Sequence, residues 1–379
     1  MKQEFNTAAH RETATTIRDA IMAKSVTAQM VGGTMLGLVE ATAEIIEALG
    51  NLETERVTVK VNAYDGTGRV SVAGAKVYID IFCNSGVPNF AVPRKEVEVD
   101  ENGEVSFDVY KGFKYAVFSK LTGMAASFQL VFEACQDERT INLWNLPIGV
   151  KYVFFGTYYK EGDEATTYRY VPIISDTYPE DIWDIAGWDV DEDEGEDVDD
   201  AQLGGILVAT ENSSFVIPQN SKAADTMQWC ANRDFSKIIP TLPAFNPDTC
   251  EDWNAAQAAA CADYDGAMNT EKILSACYNP KAADYCVSLN ADYFINCFLP
   301  SAGQLYLMYL NKAAINALME DANDEGCSFN LIDDSWYWSS TQYDQWCAWG
   351  VGLYGGGTTS YYRYNLNYVR AVSAFRFDA

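Results

Sequence analysis

The chain has 379 residues, of which 48% are hydrophobic, so it is long enough for two or three domains with buried cores. Its formal net charge of -28 argues against binding nucleic acid or an anionic membrane through a general basic surface. The single histidine, His10, stands in a polar segment, which leaves histidine-based triads and zinc-protease motifs almost no residue to use. We therefore expect a protein that is not an enzyme.

Residues 1–55 carry an apolar stripe at helical spacing, interrupted at Gly32-Gly33 and followed by Gly50 as a candidate C-terminal cap. The stripe consists of Ile17, Ile21, Met35, Leu38, Val39, Ile45, Ile46 and Leu49. A segment this short cannot form a core alone, so the stripe must pack on its own chain or on other copies. We favour an attachment or oligomerisation segment, with a homotrimer as one arrangement; packing against the next domain is the alternative.

No signal peptide is predicted, because residues 1–29 lack a continuous apolar run. The apolar run at residues 30–39 is short and broken by glycine, so we expect no membrane insertion. These features predict synthesis in the cytoplasm.

Residues 56–147 read as a β domain. Period-two alternation predicts strands at Val57–Val61, Val72–Ile79 and Glu104–Val109. Asn102-Gly103 lies between two alternating runs, which predicts a β-hairpin. Short strands at this spacing are typical of a sandwich, and the stretch resembles carboxypeptidase-regulatory-like and similar immunoglobulin-like modules, which implies a spacer or stalk.

Residues 148–200 are expected to connect two domains, with one further strand at Val150–Phe155. Residues 189–200 contain nine acids in twelve positions. The spacing of Asp189, Asp191 and Asp193 suggests a calcium loop, but Gly195 is one place late and Asp200 stands where an EF-hand has Glu. We therefore favour a solvated acidic linker and predict no metal and no other cofactor.

Residues 201–379 read as a mixed α+β domain. The predicted elements are a strand at Gly204–Ala209, helices at Ala255–Ala262 and Thr270–Ala276, and a helix that begins at Ser301 with a Ser301/Gln304 capping box. Eight of the ten cysteines fall in this half of the chain and no CxxC pair occurs, so buried free thiols are favoured over disulfides and over zinc sites.

Residues 342–368 differ in composition from the rest of this acidic chain. These 27 residues include six Tyr, five Gly and two Trp, with one Asp, one Arg and no Lys, Glu or Met. Tyr and Trp offer rigid contact area at low entropic cost while Gly and Ser adapt, which is the mixture found in antibody paratopes. An ordinary Tyr-rich hairpin inside a domain is the alternative interpretation.

Several motifs of this half occur in a recognisable order. They are Asn269–Leu274, Phe298–Leu305, Ala314–Asn316, Trp338–Tyr343, Ala348-Trp349, Gly355–Gly357 and Tyr368–Val372. In these motifs the chain from about Gly204 to Phe375 resembles the variable proteins of diversity-generating retroelements, which carry a C-terminal C-type lectin-type domain. The carbohydrate-binding calcium motifs of animal C-type lectins are absent from the sequence, so the resemblance implies the fold without sugar specificity.

In that family, mutagenesis at template adenines changes Asn codons to a limited set of residues. The positions that fit this set, and that the resemblance implies as ligand-binding, are Asp344, Cys347, Gly350, Gly352, Tyr354, Gly355, Tyr361, Tyr362, Tyr364 and Leu366. Alternation predicts that Trp349, Val351 and Leu353 face one side of a strand and Gly350, Gly352 and Tyr354 the other. After the glycine turn, Tyr362, Tyr364 and Leu366 are predicted to share one face.

The expected fold class is multidomain α+β, with an N-terminal helical segment, an immunoglobulin-like β-sandwich at 56–147, a connecting segment at 148–200 and a C-type lectin-type domain at 201–379. The expected function is that of a phage receptor-binding protein or adhesin in the host-attachment structure of a virion. Its expected partners are a host surface protein or glycan and, through the N-terminal segment, other virion proteins. The alternatives are a fixed structural module and, with least support, an enzyme like the formylglycine-generating enzymes that uses Cys327 and Cys347.

Overall fold

The computed structural model describes residues 56–65, 68–69, 75–82, 94–110, 112–134, 138–158, 169–178, 204–231, 234–236, 238–289 and 295–374. The predicted N-terminal helical segment and the acidic stretch 189–200 lie outside these residues, as do Cys83 and Cys135. All described residues belong to one compact unit, Glu55–Ala379.

The first part of this unit, the β module, is a sandwich of two four-stranded sheets. Its strands are β1 (Arg56–Asp65), β2 (Gly68–Arg69), β3 (Lys76–Phe82), β4 (Lys95–Glu98), β5 (Glu104–Tyr110), β6 (Lys114–Lys120), β7 (Leu130–Glu133) and β8 (Glu138–Trp144). In one sheet β1 pairs with β2, β5 and β8; the other has the order β4-β3-β6-β7. Alternate residues of both sheets, such as Val77, Phe107, Val117 and Leu143, form a single core between them.

The predicted hairpin at Asn102-Gly103 is wrong, although the turn itself is present. Gly103 has φ 73°, and the Asp100 side chain accepts hydrogen bonds from the backbone N–H groups of Asn102 and Glu104. The strands on either side belong to different sheets, since β4 pairs with β3 and β5 pairs with β1. All four residues of β4 are exposed, so this edge strand has no buried face to match that of β5.

The second part, the head module, is built on a six-stranded sheet. It contains β9 (Gly149–Tyr158), β10 (Arg169–Ser175), β11 (Gly205–Ala209), β12 (Ser214–Pro218), β13 (Ile295–Phe298) and β17 (Val372–Ala374), in the order β10-β9-β11-β12-β17-β13. Two of these strands, β9 and β10, come from the stretch expected to connect the modules. They join this sheet because β9 pairs with β11 over five residue pairs.

Five helices of the described chain cover this sheet: α1 (Trp253–Cys261), α2 (Gly266–Ala276), α3 (Lys281–Ser288), α4 (Ala302–Leu310) and α5 (Lys312–Asp324). The predicted capping box is present, because Ser301 Oγ accepts from Gln304 N and Gln304 Oε1 accepts from Ser301 N. Leu305, Met308 and Ile315 of α4 and α5 pack with Ile206 and Phe215 in the main core. Among the described helices, none combines the length and the apolar character that a bilayer crossing requires.

A three-stranded antiparallel sheet lies on the other side of these helices and carries the aromatic-rich segment. Its strands are β14 (Trp336–Gln342), β15 (Cys347–Gly352) and β16 (Gly357–Tyr362), in that order. Tyr337, Trp349, Val351 and Leu353 pack into the main core with the helices. The opposite face contributes Trp338 and Ala348 to a separate core cluster, so both sides of this sheet are anchored.

The two modules share side-chain packing. Phe128 and Leu146 of the β module lie in one cluster with Leu207 and Val216 of the head sheet. Ion pairs also cross the junction, from Arg94 to Asp265 at 2.6 Å and from Lys114 to Glu271 at 2.7 Å. The overall fold is therefore α+β, with a β-sandwich packed directly against the mixed head.

Candidate ligand-binding surface

Five of the large hydrophobic side chains that the described head exposes fall in one short stretch, residues 346–366, whereas others, such as Trp253, Tyr278 and Leu310, are scattered along the chain. The exposed fractions of the five are 46% for Trp346, 56% for Tyr354, 51% for Tyr362, 49% for Tyr364 and 62% for Leu366. Large apolar side chains that are exposed singly are common, but a concentration of them in one segment indicates a contact surface.

Several residues between them are buried. Trp349 and Val351 are fully covered, as the predicted alternation requires, and so is the Arg363 side chain between Tyr362 and Tyr364. Exposed positions alternate with more covered ones from Tyr362 to Asn367, whereas residues 347–353 are buried throughout. The predicted strand is shorter than expected, because β16 ends at Tyr362 and a turn follows, closed by a 2.8 Å hydrogen bond from Asn365 N to Tyr362 O.

The exposed Tyr354 and Tyr362 lie near opposite ends of β16. Gly352 pairs with Gly357 beside the turn and Cys347 pairs with Tyr362 at the far end, five residues or about 17 Å away along the strand. Tyr354 belongs to the turn end and Tyr362 to the other. The structure therefore does not bring these two predicted site residues together.

The turn cluster consists of Trp336, Tyr354 and Tyr361. The Trp336 ring lies 5.7 Å from that of Tyr354 and 5.2 Å from that of Tyr361, both edge-to-face. Tyr361 is half-buried and also contacts Trp338, and burial together with the neighbouring Tyr354 raises its phenol pKa. Trp336 was not predicted as a site residue; its position two residues before Trp338 gave no indication that it lies beside the turn.

The strand-end cluster consists of Trp346, Tyr362 and Tyr364, and the exposed Leu366 follows two residues later in the chain. The rings of Tyr362 and Tyr364 are stacked at 5.1 Å with an interplanar angle of 7°, and the Tyr364 ring packs edge-to-face on Phe235 at 5.8 Å. Trp346 adjoins them through its carbonyl, which accepts from Arg363 N at 3.0 Å. Trp346 is the second residue that the sequence prediction missed, although it lies within the aromatic-rich segment.

Three of the predicted site residues are buried instead of displayed: Cys347, Gly350 and Gly352. A side-chain carbon added at Gly350 would lie 3.0 Å from the Tyr361 ring, and one added at Gly352 would lie 2.9 Å from the Tyr354 ring. These glycines therefore lie beneath the aromatic rings and leave room for them. Cys347 is 9% exposed, and burial and the adjacent Asp344 carboxylate raise the pKa of its thiol to about 11.

Asp344 is half-buried and shapes the turn between β14 and β15. Its Oδ1 accepts from Trp346 N at 2.6 Å and from Cys347 N at 2.7 Å, while its carbonyl accepts from Arg363 Nη2 at 2.8 Å. Such an Asx turn is a structural use of the side chain. Gly355 is exposed, and no atom lies within 4 Å of a side-chain carbon placed there.

Cys327 and Cys347, the two cysteines suggested as a catalytic pair, have different neighbours. Cys327 lies 3.8 Å from the Tyr152 hydroxyl and 3.7 Å from that of Tyr178, whereas Cys347 lies opposite Tyr362. Burial raises the thiol pKa of Cys230 to about 12 and also raises those of Cys286 and Cys297. No cluster of three potential metal ligands occurs in the part of the chain that the structure covers.

No protein-family model and no curated protein matches the chain. Solved structures that it resembles include a fimbrial protein from Bacteroides ovatus, at 11% identity and TM-score 0.36, over 85% of this chain and 71% of that one. A streptococcal ancillary pilin matches at 13% identity and TM-score 0.21, over 45% of this chain and 56% of that one. The C-terminal domain of a Lactobacillus rhamnosus shaft pilin matches at 10% identity and TM-score 0.18, over 24% of this chain and 98% of that domain. Every TM-score is below 0.5, so these likenesses assign no family.

Proposed function

We propose that the chain is a non-enzymatic surface adhesin that binds a cell-surface ligand through the exposed aromatic residues of segment 346–366. One observation carries the proposal: five large side chains in this segment are each about half exposed or more, while the residues between them anchor the sheet. Interface hot spots are enriched in Trp and Tyr that lie on a well-packed support.

The support beneath the segment is closely packed and hydrogen-bonded. Trp338 and Trp349 are fully buried, and their indole N–H groups donate to the carbonyls of Met227 and Phe245 at 2.8 and 2.9 Å. A side chain held on such a support loses little freedom on binding, which favours affinity. Exchange of the exposed residues would leave these contacts in place.

The finer proposal is that this is the variable receptor-binding protein of a bacteriophage, with a C-type lectin-type head and an immunoglobulin-like spacer. The resemblance in the motifs between Gly204 and Phe375 supports it, as does the exposure of Tyr354, Tyr362, Tyr364 and Leu366. Its ligand would be a host surface protein or glycan, and its location the virion. A fixed structural module of a virion or bacterial surface is the alternative.

A binding role is also favoured over a thiol enzyme. A catalytic thiol needs a lowered pKa and access to substrate. The pKa of the Cys347 thiol is raised to about 11 and its side chain is 9% exposed. Cys327, the other residue of the suggested pair, has two tyrosine hydroxyls as neighbours.

The binding proposal can be tested with the fluorescently labelled protein on a panel of intact bacterial strains, read by flow cytometry. The wild-type chain should label particular strains, and the triple variant Tyr354→Ala, Tyr362→Ala, Tyr364→Ala should lose that labelling. The matched control is Tyr278→Ala with Ile148→Ala, which removes side chains exposed to 77% and 47% outside the segment. Equal labelling by the triple variant and the wild type would reject the binding role of the segment.

Sequencing sibling isolates separates the variable protein from the fixed module. Diversification predicts that differences concentrate at positions such as Tyr354, Tyr362, Tyr364 and Leu366, in adenine-derived codons. It also predicts a near-copy of the segment and a reverse transcriptase gene nearby. Differences scattered evenly over the head would favour the fixed module.

A further inference from the structure

A cavity lies away from the aromatic segment, at the junction of the two modules. It has a volume of about 350 Å³ and is lined by residues of both modules, among them Arg94, Phe118, Lys120 and Gln129 on one side and Asn212 and Asp265 on the other. Cavities of this size between packed modules are common ligand sites. None of its lining residues belongs to segment 346–366.

The hydrogen-bond acceptors that line this cavity are already engaged by the protein. Asp265 accepts from Arg94 Nη2 at 2.6 Å through one oxygen and from Gln129 Nε2 at 3.1 Å through the other. Gln129 Oε1 accepts from Met268 N at 3.1 Å, and Ser213 Oγ accepts from Gln304 Nε2 at 3.1 Å. A ligand would therefore find few acceptors here.

Donors remain. The Lys120 ammonium makes a single hydrogen bond within the described chain, to Asn212 Oδ1 at 3.3 Å, and none of the described carboxylates lies within ion-pair distance of it. An ammonium has three N–H groups, so two are left for a ligand. The Asn212 side chain is exposed, and its oxygen is the atom that Lys120 uses, which leaves its amide N–H groups as donors.

The two cations of this cavity have different partners. Burial and the neighbouring Arg94 guanidinium lower the pKa of Lys120, against the opposing effect of the Asp265 and Glu211 carboxylates. Arg94 already pairs with both Asp80 and Asp265, at 2.6 Å each, whereas Lys120 makes no ion pair within the described chain. Lys120 is therefore the cation left to pair with a ligand carboxylate.

We propose that the junction cavity binds the carboxylate of a small acidic sugar, with the Lys120 ammonium as counter-ion and the Asn212 amide as a second donor. The cavity, at about 350 Å³, is larger than a carboxylate needs and leaves room for a sugar ring. Asn212 is exposed, so its amide is accessible from solvent. This site is separate from the proposed aromatic contact surface.

The test is isothermal titration of the full chain with glucuronate, and with glucose as the neutral probe of the same size. Glucuronate should bind saturably with one site per chain, and glucose should bind at least tenfold more weakly. Lys120→Met and Asn212→Ala should each weaken glucuronate binding, the lysine variant by at least tenfold. The control Lys151→Met changes the net charge identically at a lysine that pairs with Asp176, and should bind as the wild type does.

The proposal is overturned if the wild type gives no saturable heat with glucuronate, if glucose binds equally well, or if Lys120→Met binds like Lys151→Met. Thermal melting of each variant checks folding, and Asn212→Ala provides an exposed position where folding is not at risk. The triple tyrosine variant of segment 346–366 should retain glucuronate binding. That result distinguishes failure of this site from failure of the aromatic surface.

Discussion

Arg363 Nη2 donates a hydrogen bond to Gln342 Oε1 at 2.9 Å, beneath the exposed tyrosines. Both side chains are fully buried, and they lie at opposite ends of the aromatic-rich segment. The guanidinium also donates to the Asp344 carbonyl at 2.8 Å and lies 4.5 Å above the Trp229 ring. This pair therefore fixes the base of the strand-end cluster.

Gln342→Leu should destabilise the head by about 2–4 kcal/mol, because it removes one partner of a buried guanidinium and the side-chain partner of several buried backbone groups. Gln342 also accepts from Ile239 N at 2.9 Å and donates to the Ile239 and Leu242 carbonyls at 3.2 and 3.1 Å. Urea denaturation followed by tryptophan fluorescence measures the change.

The control for this variant is Gln345→Leu, the same substitution at an exposed glutamine three residues further along the chain. It should change the free energy of unfolding by no more than about 0.5 kcal/mol. Similar losses for the two variants would show that the buried network does not hold the segment.

Alanine substitutions at two neighbouring glycines of the turn should differ in their effect on stability. Gly356 has φ +68°, and a side-chain carbon there would lie 2.4 Å from Tyr309 Cε1. Gly356→Ala should therefore destabilise the head by about 1–3 kcal/mol through backbone strain and displacement of the Tyr309 ring. Gly355→Ala meets no atom within 4 Å and should be neutral to within about 0.5 kcal/mol.

Thermal melts of the two alanine variants test this difference. If Gly355→Ala were as destabilising as Gly356→Ala, the turn would not have the described conformation. The proposed function also requires that substitutions at Gly355 leave stability unchanged, since Gly355 is one of the positions expected to vary.

Asp263 connects the strand that begins the segment to two helices. Its carboxylate accepts from Thr341 Oγ1 at 2.6 Å, from Asn269 Nδ2 at 2.9 Å and from Asp265 N at 3.0 Å. Burial, together with the charge of Asp265, raises its pKa to about 6, against the opposing effect of these hydrogen bonds. It is therefore ionised at neutral pH, which suits a group that receives three donors.

The raised pKa predicts how stability varies with pH. The folded state holds this proton more tightly than the unfolded chain, so the contribution of Asp263 is fully present below about pH 4 and is lost as pH rises through about 6. The free energy of unfolding of the wild type should therefore fall by roughly 1–3 kcal/mol across this window relative to Asp263→Asn, which cannot titrate.

Urea midpoints of the wild type and Asp263→Asn at pH 4.5, 5.5 and 6.5 measure this effect. Because both proteins carry the same other carboxylates, their difference isolates position 263. If the free energy of unfolding of the wild type, relative to that of Asp263→Asn, stayed constant or rose with pH, the raised pKa would be contradicted.

Local signals in the sequence predict local structure well in this chain. The Ser301/Gln304 capping box marks the start of α4, and alternation places Trp349, Val351 and Leu353 on the buried side of β15. In both cases the interaction spans only a few residues, so the residue types alone determine it. The Asn102-Gly103 turn was likewise predicted, but its hairpin was not formed.

The features that the sequence does not predict depend on contacts between distant residues. Arg363 stands between two exposed tyrosines, and only its contacts with Gln342 and Trp229 explain why it is buried. Gly350 and Gly352 lie beneath rings from Tyr361 and Tyr354, a position that their spacing does not reveal. The pairing of β9 with β11 is another contact of this kind.

The central claim is that the exposed residues of segment 346–366 can be exchanged without loss of the fold that supports them. Saturation mutagenesis of a displayed library, read by resistance to proteolysis, tests it at Tyr354, Tyr362, Tyr364 and Leu366 against the buried Tyr337, Trp338, Trp349 and Val369. Most substitutions at the four exposed positions should change stability by less than about 1 kcal/mol, whereas truncation of the buried aromatic residues should cost about 3–5 kcal/mol. Equal intolerance at the two sets of positions would contradict the account.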